Sequence, residues 1–414
     1  MAQLLKNSIY IFALSTLYTQ LAFAKVINKT TPTDKNYIEF QVYGTTIFEG
    51  DNVNQSQNTN DYKNLAYTLT NVDIDFNFNK NFGIATQTNI QNRQNGINRT
   101  QATLNYVNST NQTSFLFQNT GITTRILALH LHNRSTSLLI GKIRPSSGVA
   151  SGLDYNIIQQ DWYGLYGTML NGGYANGNKI GAQFNTSFSI MPHSKQYLEV
   201  AVFQNDTSLL NEPMLSNYGV FGYAIPSSLQ GIVSTNQAGN TSSPSSFSIL
   251  GINDSELLDN QKLSYSLYYR KNDINKTQHT FLQPETTTSG SISYTRQYEA
   301  IKLGGFANIA LVDNSYGLSG LNENYYTASA YVDIDSFIIV YAYNLYKMNG
   351  SENFANTGNG IPSQTLSQNQ ISFGYRFNNA YKIDIAYRQI KDEKTNKNAQ
   401  GVGLGIKYNI GTKY

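Results

Sequence analysis

The chain of 414 residues contains no cysteine. That excludes a disulfide scaffold, a thiolate nucleophile and any metal centre built on sulfur. Charge is scarce as well. Asp, Glu, Lys and Arg make up 13% of the residues, about half the soluble average of roughly 25%. With 29 basic against 26 acidic residues, the net charge of +3 is too small to argue for nucleic acid or an anionic lipid surface as a partner. Tryptophan occurs once, as Trp162, and histidine four times. Beyond residue 24 there is no run of about 18 apolar residues, so no transmembrane helix is expected. The longest apolar run, Phe337 to Tyr343, is the size of a strand.

Aromatic residues are abundant, with 31 Tyr and 20 Phe, and the polarity comes from Asn, Gln, Ser and Thr. The opening segment is read as a signal peptide. Lys6 supplies the positive start, Ser8 to Tyr18 the apolar core, and Ala22-Phe23-Ala24 the small-x-small cleavage pattern. Residues 1–24 are therefore expected to be removed, leaving 25–414 as one exported domain that begins at Lys25.

The dominant pattern in that domain is alternation. Val72, Ile74, Phe76 and Phe78 share one strand face while Asn71, Asp73, Asp75 and Asn77 share the other. Leu263, Tyr265, Leu267 and Tyr269 likewise oppose Ser264, Ser266 and Arg270. Tyr326 to Ile334, Ile371 to Phe377 and Ile383 to Tyr387 repeat the pattern. A soluble sandwich also uses such strands, but recurrence in segments of roughly ten residues is the transmembrane barrel signature. Without a spanning helix, only a closed barrel satisfies the backbone in a membrane. Tyr298, Tyr326, Tyr387 and Tyr408 fall near strand ends, where a ring with a hydroxyl suits the headgroup level.

Connections alternate in length. Short turns are read at 79–83, 133–136, 335–336 and 378–380, and long Gly/Ser/Asn-rich loops around 145–178, 207–244, 273–288 and 349–366. The resulting strand segments are 37–48, 68–79, 83–93, 100–108, 113–119, 123–132, 137–144, 179–190 and 197–205. They continue at 245–253, 262–271, 289–298, 301–312, 325–334, 337–347, 367–377, 382–391 and 401–414. The expected fold is all-β, a transmembrane antiparallel β-barrel of about 16–18 strands, the lower number applying if the weak pair near 100–119 is lost.

The last segment sets Val402, Leu404, Ile406, Tyr408 and Ile410 against Gly403, Gly405, Lys407 and Asn409, and stops on Tyr414. This resembles the closing strand of bacterial outer-membrane proteins, whose terminal aromatic is read by the barrel-assembly machinery. Tyr408, Ile410 and Tyr414 are the residues that carry the resemblance, and Thr412 departs from it. The opening Ile38-Glu-Phe-Gln-Val-Tyr-Gly44 resembles a porin first strand. Ser137-Leu-Leu-Ile-Gly-Lys-Ile-Arg144 resembles the strand before the porin constriction loop. Taken together, the mature chain is similar to the general porin superfamily of Gram-negative bacteria. That resemblance implies an inward-folded constriction loop at about 145–178. It also implies a homotrimer in the outer membrane among lipids and lipopolysaccharide, passing small hydrophilic solutes and ions.

Strand parity points Lys142, Arg144, Arg270, Lys302, Arg376, Lys382, Arg388 and Lys407 into the lumen, together with Asp73, Asp75, Glu199, Asp333 and Asp384. Asp154 and Asp161, in the inserted loop, are expected to face Lys142 and Arg144 across the constriction. The plainer reading of all these charges is a solvated rim. No enzyme motif survives inspection, so no catalytic residue and no cofactor are assigned. Asp73-x-Asp75-x-Asn77 lacks the glycine and the glutamate of a calcium loop. His130-x-His132 puts two imidazoles on one strand face without a nearby carboxylate, and no metal site is assigned to it. The expected function is passive diffusion through a water-filled barrel. The alternatives are a substrate-selective channel and a plugged surface adhesin or structural barrel.

Overall fold

In the computed structural model, the described residues are 36–54, 60–92, 120–146, 164–165, 179–205, 241, 243–258, 260–274, 282–350, 363–393 and 398–412. They form sixteen strands. The first eight are β1 (Tyr37–Asn54), β2 (Asn60–Asn79), β3 (Phe82–Asn92), β4 (Thr120–His132), β5 (Thr136–Ile143), β6 (Lys179–Phe188), β7 (Ser194–Asn205) and β8 (Ser246–Leu258). The rest are β9 (Gln261–Asn272), β10 (Glu285–Tyr298), β11 (Ile301–Asp313), β12 (Asn322–Ile334), β13 (Phe337–Asn349), β14 (Gln364–Arg376), β15 (Tyr381–Asp392) and β16 (Asn398–Thr412). Each pairs antiparallel with its chain neighbours, and β1 pairs with β16 to close the barrel. The wall has no free edge, as a membrane-spanning sheet requires.

Alternation builds this wall directly. Leu267 is 71% exposed, as Val402 is at 57%, and Phe373, Ile385 and Ile292 are exposed with them. Their strand neighbours Ser266, Gly403, Ser372, Asp384 and Ser293 are buried on the inner face. A monomeric soluble protein does not expose a contiguous apolar surface of this extent. Aromatic pairs such as Phe337 with Tyr375, with ring centroids 4.9 Å apart, line its lower border.

Turns at one rim span 80–81, 133–135, 189–193, 259–260, 299–300, 335–336 and 377–380; those at the other rim are mostly longer, up to 144–178 and 206–245. The short turns are set by local chemistry. Asn133 Oδ1 accepts from the amides of Ser135 and Thr136, each at 2.9 Å. Asn378 Oδ1 accepts from those of Ala380 (2.7 Å) and Tyr381 (3.0 Å). Such side-chain mimics of a backbone turn are what Asn offers. At the long-loop rim a 3₁₀ turn at Ser315–Gly317 packs on residues 282–284, with Leu282 and Leu318 bridged.

The strand count is the lower of the expected numbers, and two strands are longer than expected. β3 pairs directly with β4, from Phe82↔Leu131 to Asn92↔Thr120, so the barrel closes with sixteen strands. The segments 100–108 and 113–119 lie outside the described residues. β1 and β2 run to 18 and 20 residues, well beyond their predicted ends at 48 and 68. A membrane needs only about 9–11 residues per strand. The added ladder includes Asp51, Asn52, Asn60 and Lys63, a polar stretch of sequence that offers no apolar–polar alternation to search for.

The closing seam is fastened on both faces. Inside, Gln41 Nε2 donates to Asn409 Oδ1 at 2.6 Å. Outside, Tyr408 and Thr70 are hydrogen-bonded through their hydroxyls, and Gly44 stands between them in the register. The ring therefore lies flat across Gly44 and ties β16 to β2. Tyr408 is buried, not displayed at a headgroup girdle as its position near a strand end suggests. Tyr298 and Tyr387 are exposed on the outer face.

Candidate functional site

The inner face is where chemistry concentrates. Among the described residues its side chains include three charged groups, and Gly164 and Leu165, which lie between β5 and β6, rest against one of them.

Between β5 and β6 the chain is held at two places. At its root, the Ser146 amide donates to Glu199 Oε1 at 2.7 Å and the Ser146 hydroxyl donates to Oε2 at 2.8 Å. Glu199 is an inward residue of β7 and is also reached by the Tyr197 hydroxyl at 3.2 Å. Further on, Gly164 and Leu165 rest against the opposite wall. The Leu165 amide donates to Ser372 Oγ of β14 at 2.9 Å, and Lys407 Nζ of β16 donates to the Gly164 carbonyl at 3.3 Å. The Leu165 side chain packs with Ile47 and Ala386. It fills the space that a side chain at Gly405 would take, since a Cβ there would lie 2.0 Å from Leu165 Cδ1. Gly164 itself has φ +72°, where a non-glycine residue is strained, and a Cβ would press on Ser372 Oγ at 2.5 Å. The constriction loop expected from the resemblance thus has an inward anchor at these two residues.

Around that anchor lies the first polar group. Lys382 Nζ is 2.8 Å from Asp384 Oδ1, and Lys407 Nζ is 3.5 Å from Asp384 Oδ2. Arg388 follows two register steps along β15 and is fully buried. Buried charges persist when paired, and Asp384 serves two cations.

The second group joins β1 to β5. Gln87 is its hub. Its Nε2 donates to Tyr43 Oη and Asp73 Oδ1, each at 3.0 Å, while its Oε1 accepts from Arg144 Nη1 at 3.3 Å. Arg125 faces Arg144, Tyr43 and Asp73. A β-bulge puts it there: the register steps from Gln87↔Ile126 to Thr88↔Thr124, so Arg125 is the extra residue of β4 at that step. An extra residue of this kind re-aims a side chain.

The third group spans β6 to β10. Arg270 Nη2 is 3.1 Å from Glu285 Oε1, and Asn272 Nδ2 donates to the same oxygen at 2.7 Å. Lys179 lies within reach of both charges and 5.4 Å above the Phe203 ring. Nearby, Glu323 accepts from Ser315 Oγ at 2.7 Å and from the Tyr325 hydroxyl.

Of the residues expected to line the pore, Asp73 and Arg144 meet through Gln87. Asp75 lies on the same inward row of β2, opposite Glu39. Arg270 pairs with Glu285, and Arg388 stands in the first group. Arg376 pairs with Asp333 at the short-turn rim and donates to the Asp335 carbonyl at 3.1 Å. Lys142 is placed elsewhere. It shares a register row with Leu127, 43% exposed on the outer face, and with Ile180. Lys142 is nevertheless buried, at 5% exposure. Asp154, Asp161 and Trp162 lie outside the described residues. Of the closing-strand residues, Tyr408 clasps the seam and Ile410 pairs with Val42. Tyr414 is outside the described residues. Sequence reasoning missed Arg125, Lys179, Glu285 and Glu323. Parity along β6 from Gly181 and Gln183 would have found Lys179, whereas the bulge that turns Arg125 has no composition signal.

No family model matches the chain, and no curated protein matches it. Solved structures do. The outer-membrane expressed OmpT of Vibrio cholerae is 10% identical, with 92% of this chain and 100% of that one covered at a TM-score of 0.47. OmpF of Salmonella typhi, in complex with daunomycin, is 12% identical over 91% of this chain and 98% of its own, at 0.48. An anion-selective porin from Comamonas acidovorans is 10% identical over 91% and 100%, at 0.48. At such identities the likeness is one of fold alone. The described strands form a closed barrel of sixteen antiparallel strands.

Proposed function

We propose that this protein is an outer-membrane channel for small hydrophilic solutes and ions, narrowed by the segment anchored at Gly164 and Leu165. The observation that carries the proposal is the two-sided wall. An exposed apolar surface faces outward on a closed barrel, while Arg, Lys, Asp and Glu occupy the inner face. On a lipid face at the midplane an Arg or Lys would cost about 2–4 kcal/mol, so this wall suits lipid outside and a polar passage inside. Selectivity in such a passage comes from the charges near its narrowest point, and the Arg125–Arg144–Asp73 group is proposed for that role.

The same reading includes export by the signal peptide at 1–24 and insertion by the barrel-assembly machinery acting on the closing strand with Tyr408, Ile410 and Tyr414. It also includes assembly as a homotrimer among outer-membrane lipids and lipopolysaccharide. A second reading, a substrate-selective channel, is favoured by one observation. Lys382, Asp384 and Arg388 are fully buried beside the loop anchor, so part of the lining is closed to bulk water. Conductance in planar bilayers tests both. Large ohmic steps support passive diffusion, and small steps blocked by one solute class support selectivity. A folded barrel that conducts nothing would sink the channel proposal.

A further inference from the structure

We propose that His130 and His132, with the side-chain oxygen of Asn77, bind one divalent transition-metal ion on the inner wall at the short-turn mouth. The binding itself does not depend on the channel reading. From sequence alone the pair lacks a third ligand, since no carboxylate is near it. The fold supplies one from another strand.

Both histidines lie on the inner face of β4. Leu129 and Leu131, which alternate with them, are exposed on the outer face. His130 stands opposite Gly83 and Leu139, and His132 stands opposite Ser137. The two rings are stacked, with centroids 4.4 Å apart and planes 28° from parallel, so both imidazoles occupy one spot on the wall, and a modest rotation of one ring would bring a nitrogen of each to a shared ion. Asn77 Oδ1, from β2, is 3.0 Å from His132 Nε2. Gly83 separates Asn77 from His130 in the register, and a Cβ on it would come within 2.8 Å of Asn77 Oδ1. The missing side chain is what lets the amide lean across toward the imidazoles. His130 Nδ1 is buried without a hydrogen-bond partner among the described residues. A buried polar atom left in that state is destabilising, and binding that reorients the ring would relieve it.

Neutral imidazole is a ligand for zinc, nickel and copper, at about 2.0–2.1 Å for zinc. Calcium and magnesium take carboxylates and other oxygens, so this donor set disfavours them. Among the divalent metals, copper binds most tightly to a given nitrogen and oxygen site. Two nitrogens and one neutral oxygen leave positions open to water. Such a site holds an exchangeable ion at the mouth of the barrel, in contrast to a closed structural centre.

The test is titration of the refolded full-length barrel in detergent with copper(II) chloride, followed by calorimetry and electron paramagnetic resonance. One saturable ion per chain is expected, with hyperfine coupling to two imidazole nitrogens. His130→Gln and His132→Gln should each abolish the two-nitrogen spectrum, and His193→Gln should leave it unchanged. Asn77→Leu should weaken binding by about 10-fold, the lower end of the scale on which supporting groups at metal sites act. Equal binding by the His130→Gln/His132→Gln double variant would overturn the proposal. So would a wild-type spectrum with one coupled nitrogen or none, a readout that needs no variant to fold.

Discussion

The anchor at Leu165 gives the sharpest test of the pore geometry, through substitution of Gly405. A methyl group at this position would lie 2.0 Å from Leu165 Cδ1, against the roughly 3.5–4.0 Å at which two carbons rest in contact. Residue 405 sits mid-strand, opposite Ile47 and Asp384, and its φ is not in the left-handed region. The wall accepts a side chain there, so it is the loop that must yield. Burying a leucine is worth about 1.5–3 kcal/mol. The two hydrogen bonds, Leu165 amide to Ser372 and Lys407 to the Gly164 carbonyl, add about 0.5–1.5 kcal/mol each. The anchor as a whole holds the segment with about 2.5–6 kcal/mol, and at about 1.4 kcal/mol per decade even the lower figure keeps it seated well over nine-tenths of the time. Gly405→Leu removes the leucine's place entirely, whereas Gly405→Ala strains it. Single-channel recording should show higher conductance and added open-state noise in the order wild type, Gly405→Ala, Gly405→Leu. Leu165→Ala combined with Gly405→Ala should return the trace toward that of Leu165→Ala alone. If Gly405→Leu folds, as judged by heat-dependent gel migration, and conducts like wild type, then the segment at 164–165 does not narrow the passage.

Three other outcomes follow from the buried groups. Glu285→Gln removes the carboxylate paired with the buried Arg270 and should cost up to about 3–5 kcal/mol, read as a lower midpoint in urea unfolding from micelles. Tyr408→Phe removes the hydroxyl's hydrogen bonds to Thr70 and Thr68 and should cost about 0.5–1.5 kcal/mol for each, seen as a modest drop in the temperature of the heat-dependent gel shift. Tyr408→Ala, which also uncovers Gly44, should drop it further. Arg125→Gln with Arg144→Gln should move the reversal potential in a salt gradient toward cation preference, because both face the Asp73 group. Lys142→Gln, on the row of Leu127 and Ile180, should leave that potential in place.

Much of the wall was legible in the sequence because period-two alternation has a single physical cause. Residues such as Val72, Ile74 and Phe76 need one solvent, and Asn71, Asp73 and Asp75 need another. A one-residue slip would exchange the two faces of a whole strand. Register is therefore strongly constrained wherever the faces differ, and the turn residues Asn133, Asp335 and Asn378 mark where it reverses. The signal fails where the faces do not differ. Residues 49–54 and 60–67, which extend β1 and β2, are rich in Asp, Asn and Lys and show no alternation in the sequence. The polar segments at 100–108 and 113–119 give only a weak alternating signal, and β3 pairs directly with β4.

The site was less legible for a related reason: parity predicts a face only while the ladder is regular. Between Ile126 and Thr124 the bulge adds a residue to one strand only, and Arg125 joins the lumen against its apparent parity. At Gly141, with φ +134°, the backbone leaves ordinary strand geometry just before Lys142 and Arg144. The first of these falls on the outward row, and the second turns inward past the strand end. Neither departure has a composition signal, because what a bulge needs is space and a partner on another strand. The same holds for the loop anchor, where Gly164, Gly405 and Ser372 are distant in sequence and each is unremarkable alone. Composition and period thus specify a barrel that separates oil from water, while the electrostatics of its passage reside in the few positions where that period breaks. Variants at Arg125, Gly141 and Gly405 should therefore change conduction far more than variants at regular lining positions such as Ser266 or Ser293, and a scan in which both sets behave alike would contradict this division.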